Sequence, residues 1–492
     1  MTIWSRKSLE MCAEEAFTDE GTGLRRSLGA MALTAFGVGS TIGAGVFSLT
    51  GQVAAHQAGP AVSLSFVLAS IACFFSGLCY AEFAAMVPVS GSAYSYAHVS
   101  FGELVAWLIG WTLILEWLFS ASVVAISWSG YTTASLQELG IVLPHSLTTA
   151  PIAIGARGNW NTSGGYVDLP AMLVVLACTV LLLAGTQASA LVNTAIVVAK
   201  VIALVILVAV GAQYVRTENW HPFIPQNTGA FGQFGWSGVF RGAGTLFFAY
   251  LGFDGVSTLA GEARHPQRSV PQSLFASLLI CTLLYVAVSG VVTGLADYRS
   301  LDVADPLYQA LSGQQGSVAA VRILISFIAV VGLVSVILTC LLGQVRIFYS
   351  MARDGLLPAV LARLGKINRT PNFATTVTGI LSCTIAGLLP LEALGELISI
   401  GTLLAFATVC GGILILRRTA PAAQRPFRTP WVPLVPILGM VCCGALMLSL
   451  PTETWIRLII WLGGGGALYA FYGRRHSKAG NFSGVRDDIG TA

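Results

Sequence analysis

The sequence predicts an all-α polytopic membrane protein of about 12 transmembrane helices, and three observations predict it. Of 492 residues, 55% are hydrophobic and only 10% charged, against roughly 25% charged in a soluble domain, and the mean hydropathy is +0.77. From Ser27 to Ala81 there are 55 residues without an Asp, Glu, Lys or Arg, enough for two crossings of about 20 residues with a short turn between them. The 54 glycines agree, since glycine is commoner in transmembrane helices than in soluble ones. Together these features exclude a soluble enzyme, a disordered or collagenous chain and a nucleic-acid-binding protein.

In order along the chain, apolar segments of spanning length fall at roughly 28–50, 60–82, 102–131, 169–186, 190–212, 236–258, 273–295, 319–348, 373–390, 393–416, 431–450 and 455–473. Grouped by fives, they divide the chain into an N-terminal segment (1–27), a first five-helix repeat (28–212), a second (213–416), two additional helices (417–473) and a tail (474–492). The 1–27 segment is polar and mixed in charge, unlike a signal peptide, so insertion is expected to start from the first internal apolar segment. The longest loop, Tyr131–Asp168, is too short for a separate soluble domain, so the protein is expected to work within the membrane.

Lys and Arg counts give the orientation. With the N-terminus cytoplasmic, the inner segments hold 18 of them and the outer ones only six: Arg157, Arg216, Arg241, Arg299, Arg322 and Arg457. Both termini are therefore expected in the cytoplasm, in agreement with an even number of spans. Nine of the ten cysteines lie in apolar segments and none forms a CxxC pair, so packing is their expected role rather than a metal site or disulfide. The N-x-S/T matches at Asn161, Asn368 and Asn481 are weak signals.

Two spans read as broken. The first holds Gly37, Gly39, Gly43 and Gly45 within nine residues, each costing a helix about 1 kcal/mol relative to alanine. The sixth holds Gly252, Asp254 and Gly255 at mid-depth. Interrupted spans in corresponding positions of two repeats point to a transporter binding site. The alternative is close helix packing through small residues.

Ionisable groups at membrane depth are costly and suggest function. Lys200, near the middle of span five, is the only charge between Asp168 and Arg216, about 15 Å of helix from either end. Its stem cannot snorkel that far. It is either a fixed cation tying broken-helix carbonyls together, a proton carrier, or half of a permanent ion pair. Glu116, in span three, is the only charge between Glu103 and Glu138. It either binds a cationic substrate group, exchanges a proton, or makes a helix-to-helix hydrogen bond. Asp254 either caps the amides of the break or pairs with Lys200. The histidines all fall in loops or at span ends, and no HExxH motif or TVGYG-like filter occurs, which speaks against an enzyme, a metal site or a selective channel.

At Gly37–Gly51, GVGSTIGAGVFSLTG, the chain resembles the first helix of the amino acid–polyamine–organocation transporters. Pro88-Val89-Ser90-Gly91-Ser92-Ala93-Tyr94 resembles the loop after their second helix, and Phe247–Asp254 their sixth. Gly343-Gln344-Val345-Arg346 with Met351–Pro358 resembles the end of their eighth. With Glu116 and Lys200, the resemblance is to the cationic amino acid transporter branch and its bacterial homologues, and it covers nearly all of 25–475. The two extra C-terminal helices of the animal members do not occur, so a bacterial homologue is expected.

The resemblance implies a LeuT-like five-plus-five inverted repeat with broken helices 1 and 6. It implies that the amides of Gly43, Ala44 and Gly45 hold the substrate carboxylate, as a half-helix N-terminus should. Carbonyls near Thr41 and at Phe248, Ala249 and Leu251 would take the α-ammonium, and Phe248 would close over the substrate. Lys200 would stand where sodium-driven relatives hold an ion, bridging helices 1 and 8. A proton exchanged there or at Glu116 would drive transport, with no sodium and no other cofactor. Glu116 and Cys340 are the candidates for the side-chain pocket; Gly39, Phe248 and Asp254 are assigned to structure or gating. The expected activity is import of L-amino acids, cationic such as arginine or lysine and also neutral such as alanine, across the plasma membrane by alternating access. The alternatives are an exchanger without proton coupling, a non-transporting sensor and a membrane enzyme. The expected partners are the amino acid and membrane lipid, with no nucleic acid; a small single-span protein or a sterol is left open.

Overall fold

In a computed structural model, the chain is described over residues 6–7, 28–87, 91–154, 160–184, 189–260, 263–303, 305–312, 317–365 and 371–478. Residues 88–90 of the loop motif, nearly all of the 1–27 segment, Asn368 and Asn481 lie outside these. The principal helices are α1 (Ala30–Thr41), α2 (Val62–Met86), α3 (Ser92–Ser100), α4 (Glu103–Glu138), α5 (Leu169–Ala184), α6 (Ser189–Gly211), α7 (Gly235–Leu246) and α8 (Pro266–Leu295). They continue with α9 (Pro306–Ser312), α10 (Ser317–Arg353), α11 (Asn372–Leu388), α12 (Leu391–Thr419), α13 (Leu434–Ser449) and α14 (Thr452–Leu468). Helix occupies each expected span.

Six helical runs are long and apolar enough to cross a membrane: Ala30–Met86, Glu103–Gln137, Thr194–Tyr214, Pro266–Leu295, Val321–Arg353 and Leu394–Thr419. α13 and α14 form a further apolar pair bent by 113°. Leu169–Leu183 and Asn372–Leu388 are apolar but shorter. Leu173, Val180, Ile202, Leu283, Phe327 and Ile380 point outward on α5, α6, α8, α10 and α11. Such outward apolar bands suit lipid rather than water, and the molecule is a mostly helical, multi-pass membrane protein.

Three features lie beyond the expected elements. The loop after α4 carries a small antiparallel hairpin, β1 (Ile152–Ile154) with β2 (Trp160–Thr162), in register Ala153↔Asn161. α4 runs to Glu138, past the expected end at 131, because its last turns stay helical although they are polar. α3 and α9 fill stretches expected to be loop.

Both expected breaks are present. α1 stops at Thr41, Ile42 leaves the helical region (φ −74°, ψ 89°), and a wider π-helical turn runs from Gly45 to Leu49. α7 passes into a 3-10 turn, Phe247–Tyr250, and helix resumes only at Gly255–Thr258. The two breaks cross in contact. A methyl group added to Gly45 would collide with the Ala249 backbone. Gly252 has φ +102°, and a Cβ there would lie 2.8 Å from the Ser40 carbonyl carbon. Glycine is required at both places, by contact at 45 and by both contact and backbone angle at 252.

α4 runs through the centre, and one of its hydroxyls anchors the next helix. Ser129 donates to Asp168 Oδ1 (2.6 Å), which also accepts from Ala171 N (3.1 Å), capping α5. Burial pushes the Asp168 carboxyl up to about 6 because it penalises the charged form.

Gly45→Ala should prevent the two broken segments from meeting; loss of the monodisperse folded protein in detergent checks this, whereas Gly43→Ala, whose nearest contact is a Val336 methyl at 3.3 Å, should fold. Asp168→Ala should lower stability by about 1 kcal/mol through the lost cap, and Asp168→Asn by less. Because the folded-state acid lies above its ordinary value of 3.8, stability of the native protein should fall as pH rises through the window from about 4 to about 6 and then level off. Thermal melts of the native protein and the Asn variant across that window test the sign.

Candidate functional site

Where a helix ends inside an apolar bundle, its terminal N–H and C=O groups need partners other than water. Most of the freed carbonyls find one. Lys200, fully buried on α6, donates from Nζ to Gly39 O (3.3 Å) and Ile42 O (3.1 Å). Its methylene stem lies against Gly332 of α10, so it links the first broken segment to the eighth span. Tyr285 of α8 donates its hydroxyl toward both Thr41 O (2.7 Å) and Ala249 O (3.0 Å), joining the two broken segments through one oxygen. Ser40 Oγ reaches Gly252 O at 3.0 Å. Gly252 N donates to Asp254 Oδ1 (3.3 Å), so Asp254 caps the second break. Phe248 N donates to Ser399 Oγ (3.2 Å) on α12.

Between the breaks lies a cavity lined by Ser40, Thr41, Gly43, Ala44, Gly45, Trp117, Ser120, Val124, Phe248, Leu251, Gly252, Val336 and Cys340. Atoms leave about 360 Å³ within it, but only about 20 Å³ is open to the centre of a water molecule, room for about one water. The site is narrow and contracted. One end is backbone: the start of the helical segment after the first break, at Gly43–Gly45, whose leading amides have no intrahelical acceptor. That end suits an anion. The rest of the lining is mostly side chain: Trp117, Val124, Leu251, Val336 and Cys340 are apolar, with Ser120 among them, and Val336 and Val124 lie close beside Gly43. Phe248 also lines the space.

Of the residues expected here, Thr41, Gly43, Ala44, Gly45, Phe248, Leu251 and Cys340 line the cavity. Ala249 does not; its carbonyl is engaged by Tyr285, as is that of Thr41. Gly39 and Lys200 lie behind the wall, joined to each other. Glu116 is fully buried and is not part of the lining. It precedes Trp117 on α4, and its polar neighbours are Asp254 and Thr402. Glu116 lies one turn before Ser120 and only about 40° from it around the helix, so it borders the face of α4 that lines the cavity without being part of the lining. Among the described residues no group of three or more His, Cys, Asp or Glu is arranged to hold a metal ion.

Sequence reasoning missed Tyr285, Ser120, Trp117, Val124 and Val336. A tyrosine in the middle of an apolar span was a signal for Tyr285, since its hydroxyl needs a partner when buried. Trp117 and Ser120 follow Glu116 at one and four positions, and a helical wheel centred on the cavity would have raised them.

The geometry has counterparts. A family model described as amino acid permease matches residues 28–462. The chain is 40% identical over 478 residues to the methylthioribose transporter of Bacillus subtilis (strain 168), covering 97% of this chain and 99% of that protein. It is also 40% identical to the branched-chain amino acid permease BcaP of the same organism, over 97% and 99% of the two chains. Identity is 37% to the vacuolar cationic amino acid transporter 4 of Arabidopsis thaliana, over 81% of this chain and 64% of that one. These relatives are named as transporters or permeases, not enzymes. A crossing of two broken helices around a narrow cavity, matched along nearly the whole chain, identifies the protein as a member of the amino acid permease family, within the amino acid–polyamine–organocation superfamily.

Proposed function

We propose that this permease is a secondary active transporter that imports neutral L-amino acids across the plasma membrane by alternating access, coupled to protons through Lys200. The observation that carries the substrate class is the side-chain lining of the cavity. Trp117, Val124, Leu251, Val336 and Cys340 bring no charge to it, and burying a substrate's cationic side chain there without a partner would be costly. The relatives' names divide among methylthioribose, branched-chain amino acids and cationic amino acids; the apolar wall favours a neutral substrate. The amides at Gly43–Gly45 receive the carboxylate and the carbonyls of Phe248 and Leu251 the ammonium, with Phe248 as the lid. The contracted volume means that the walls move apart to admit and release substrate, as alternating access requires.

Proton coupling rests on Lys200. Protonated, Nζ ties the carbonyls of Gly39 and Ile42 to the wall formed by α10 through charge-assisted bonds; deprotonated, it retains two N–H donors and gains a lone pair, and those bonds weaken with the loss of charge. The state of one nitrogen thereby alters how firmly the first broken segment is held against α10. Sodium has no part in this reading, since an ammonium fills the position. The same fold reading extends to twelve spans in a five-plus-five repeat. Ala30–Met86, 57 residues long, would measure about 85 Å if straight, far more than the ~30 Å hydrocarbon core. It therefore makes two crossings, reversing at Gly59 (φ +62°). Lys7 and Lys478 both meet Asp354, which supports placing these two residues on one side of the membrane, and the Lys and Arg excess supports reading that side as cytoplasmic.

With the potential clamped near zero and an inward gradient of one pH unit, proteoliposomes should accumulate valine or alanine about tenfold, since one unit is worth about 1.4 kcal/mol, and should not accumulate arginine. Accumulation of arginine alone, indifferent to the gradient, would overturn the substrate class and the coupling together. Lys200→Met should fold yet lose gradient-driven uptake to background; full uptake would remove Lys200 from the coupling and leave exchange as the mechanism. Glu116→Gln, which alters a group outside the cavity wall, should depress uptake of every accepted amino acid alike, as competition assays with several neutral substrates would report.

A further inference from the structure

Hydroxyl side chains inside apolar helices usually bond to the carbonyl one turn earlier. On α4, Thr112 does so with Leu108 O (2.8 Å), Ser122 with Leu118 O (3.0 Å) and Ser135 with Tyr131 O (2.8 Å). Ser120 does not. It is 4% exposed, and its Oγ has no hydrogen-bond partner. It also lines the cavity. The other lining hydroxyls are engaged: Ser40 with Phe36 O, Gly37 O and Gly252 O, and Thr41 with Gly37 O. A buried hydroxyl without a partner is unfavourable. Here it is set in the wall of a space that must take a ligand.

We infer that Ser120 is a specificity residue that hydrogen-bonds a hydroxyl on the substrate's side chain, so that the preferred substrates are small neutral amino acids bearing one, such as threonine. The inference rests on the proposed amino acid site and narrows its substrate class. An apolar pocket discriminates weakly between a methyl and a hydroxyl of the same size, whereas a pocket holding an unpaired polar group disfavours the ligand that leaves it unpaired. Threonine and valine are nearly isosteric and differ in that one group. With Val124 and Val336 on the same wall, either β-methyl finds apolar contact, and the hydroxyl alone decides between them. Either oxygen can donate, since each carries one proton and two lone pairs.

The test uses the purified full-length protein in proteoliposomes and compares initial uptake of threonine with that of valine at equal gradient. The native protein should favour threonine by about fivefold to tenfold; tenfold corresponds to about 1.4 kcal/mol, the upper end of a neutral hydrogen bond. Ser120→Ala should bring the ratio close to one while valine uptake persists, and Ser120→Thr, which restores a hydroxyl, should recover the preference. A native preference of one, or a ratio that Ser120→Ala leaves unchanged, overturns the inference while valine transport leaves the amino acid site standing. Failure of the native protein to move either amino acid overturns both. If Ser120→Ala does not fold, thermal stabilisation of the native protein decides: a larger shift with threonine than with valine at equal concentration supports the inference, and equal shifts refute it.

Discussion

The structure depends on satisfying backbone groups where two helices break inside an apolar interior. No water is at hand there, and each unpaired N–H or C=O is expensive. The chain meets this need with few groups. Lys200 takes the carbonyls of Gly39 and Ile42, Tyr285 takes those of Thr41 and Ala249, and Asp254 takes the amide of Gly252. What remains faces one small cavity. The leading amides at Gly43–Gly45, which have no intrahelical acceptor, are among the groups that line it.

The same economy couples the site to its surroundings. Tyr285 spans both breaks with one hydroxyl, and Lys200 ties the first break to α10, which also supplies Val336 and Cys340 to the cavity wall. A movement of the first broken segment therefore bears on the wall that carries Val336 and Cys340. Tyr131 adds a further hold, donating to Phe47 O (2.7 Å) and stacking edge-on against the Phe47 ring.

Where Lys7 and Lys478 meet Asp354, buried acids gather the chain. Asp354 accepts from Lys7 (3.2 Å) and from the Tyr94 hydroxyl (2.7 Å), with His98 at 3.9 Å, and its carbonyl receives Lys478 N. Glu103 accepts from Tyr469 and Ser477. Glu82 binds Arg417, Arg425 and the amide of Thr429. Each carboxylate joins segments far apart in sequence through charge-assisted bonds, whereas the two breaks are held by side chains of three kinds, the Lys200 amine, the Tyr285 hydroxyl and the Asp254 carboxylate.

Much of this was legible in the sequence because its signals are local. A run of apolar residues predicts a span wherever it folds, four glycines in nine residues predict a break, and an isolated lysine at mid-depth must find oxygen. The positions of the helices, the two interruptions and the setting of Lys200 follow from such one-dimensional facts. What the tertiary structure decided was which groups meet. Glu116 borders the cavity face of α4 while Trp117 and Ser120 line it, and no local pattern records which edge of a helix that is apolar all round meets a cavity. Tyr285 became the bridge between the breaks only because α8 packs against both. Two residues as distant as Gly45 and Ala249 touch because the crossing brings them together, and the cavity, with its single unpaired hydroxyl at Ser120 among the lining groups, exists only as the remainder of that packing.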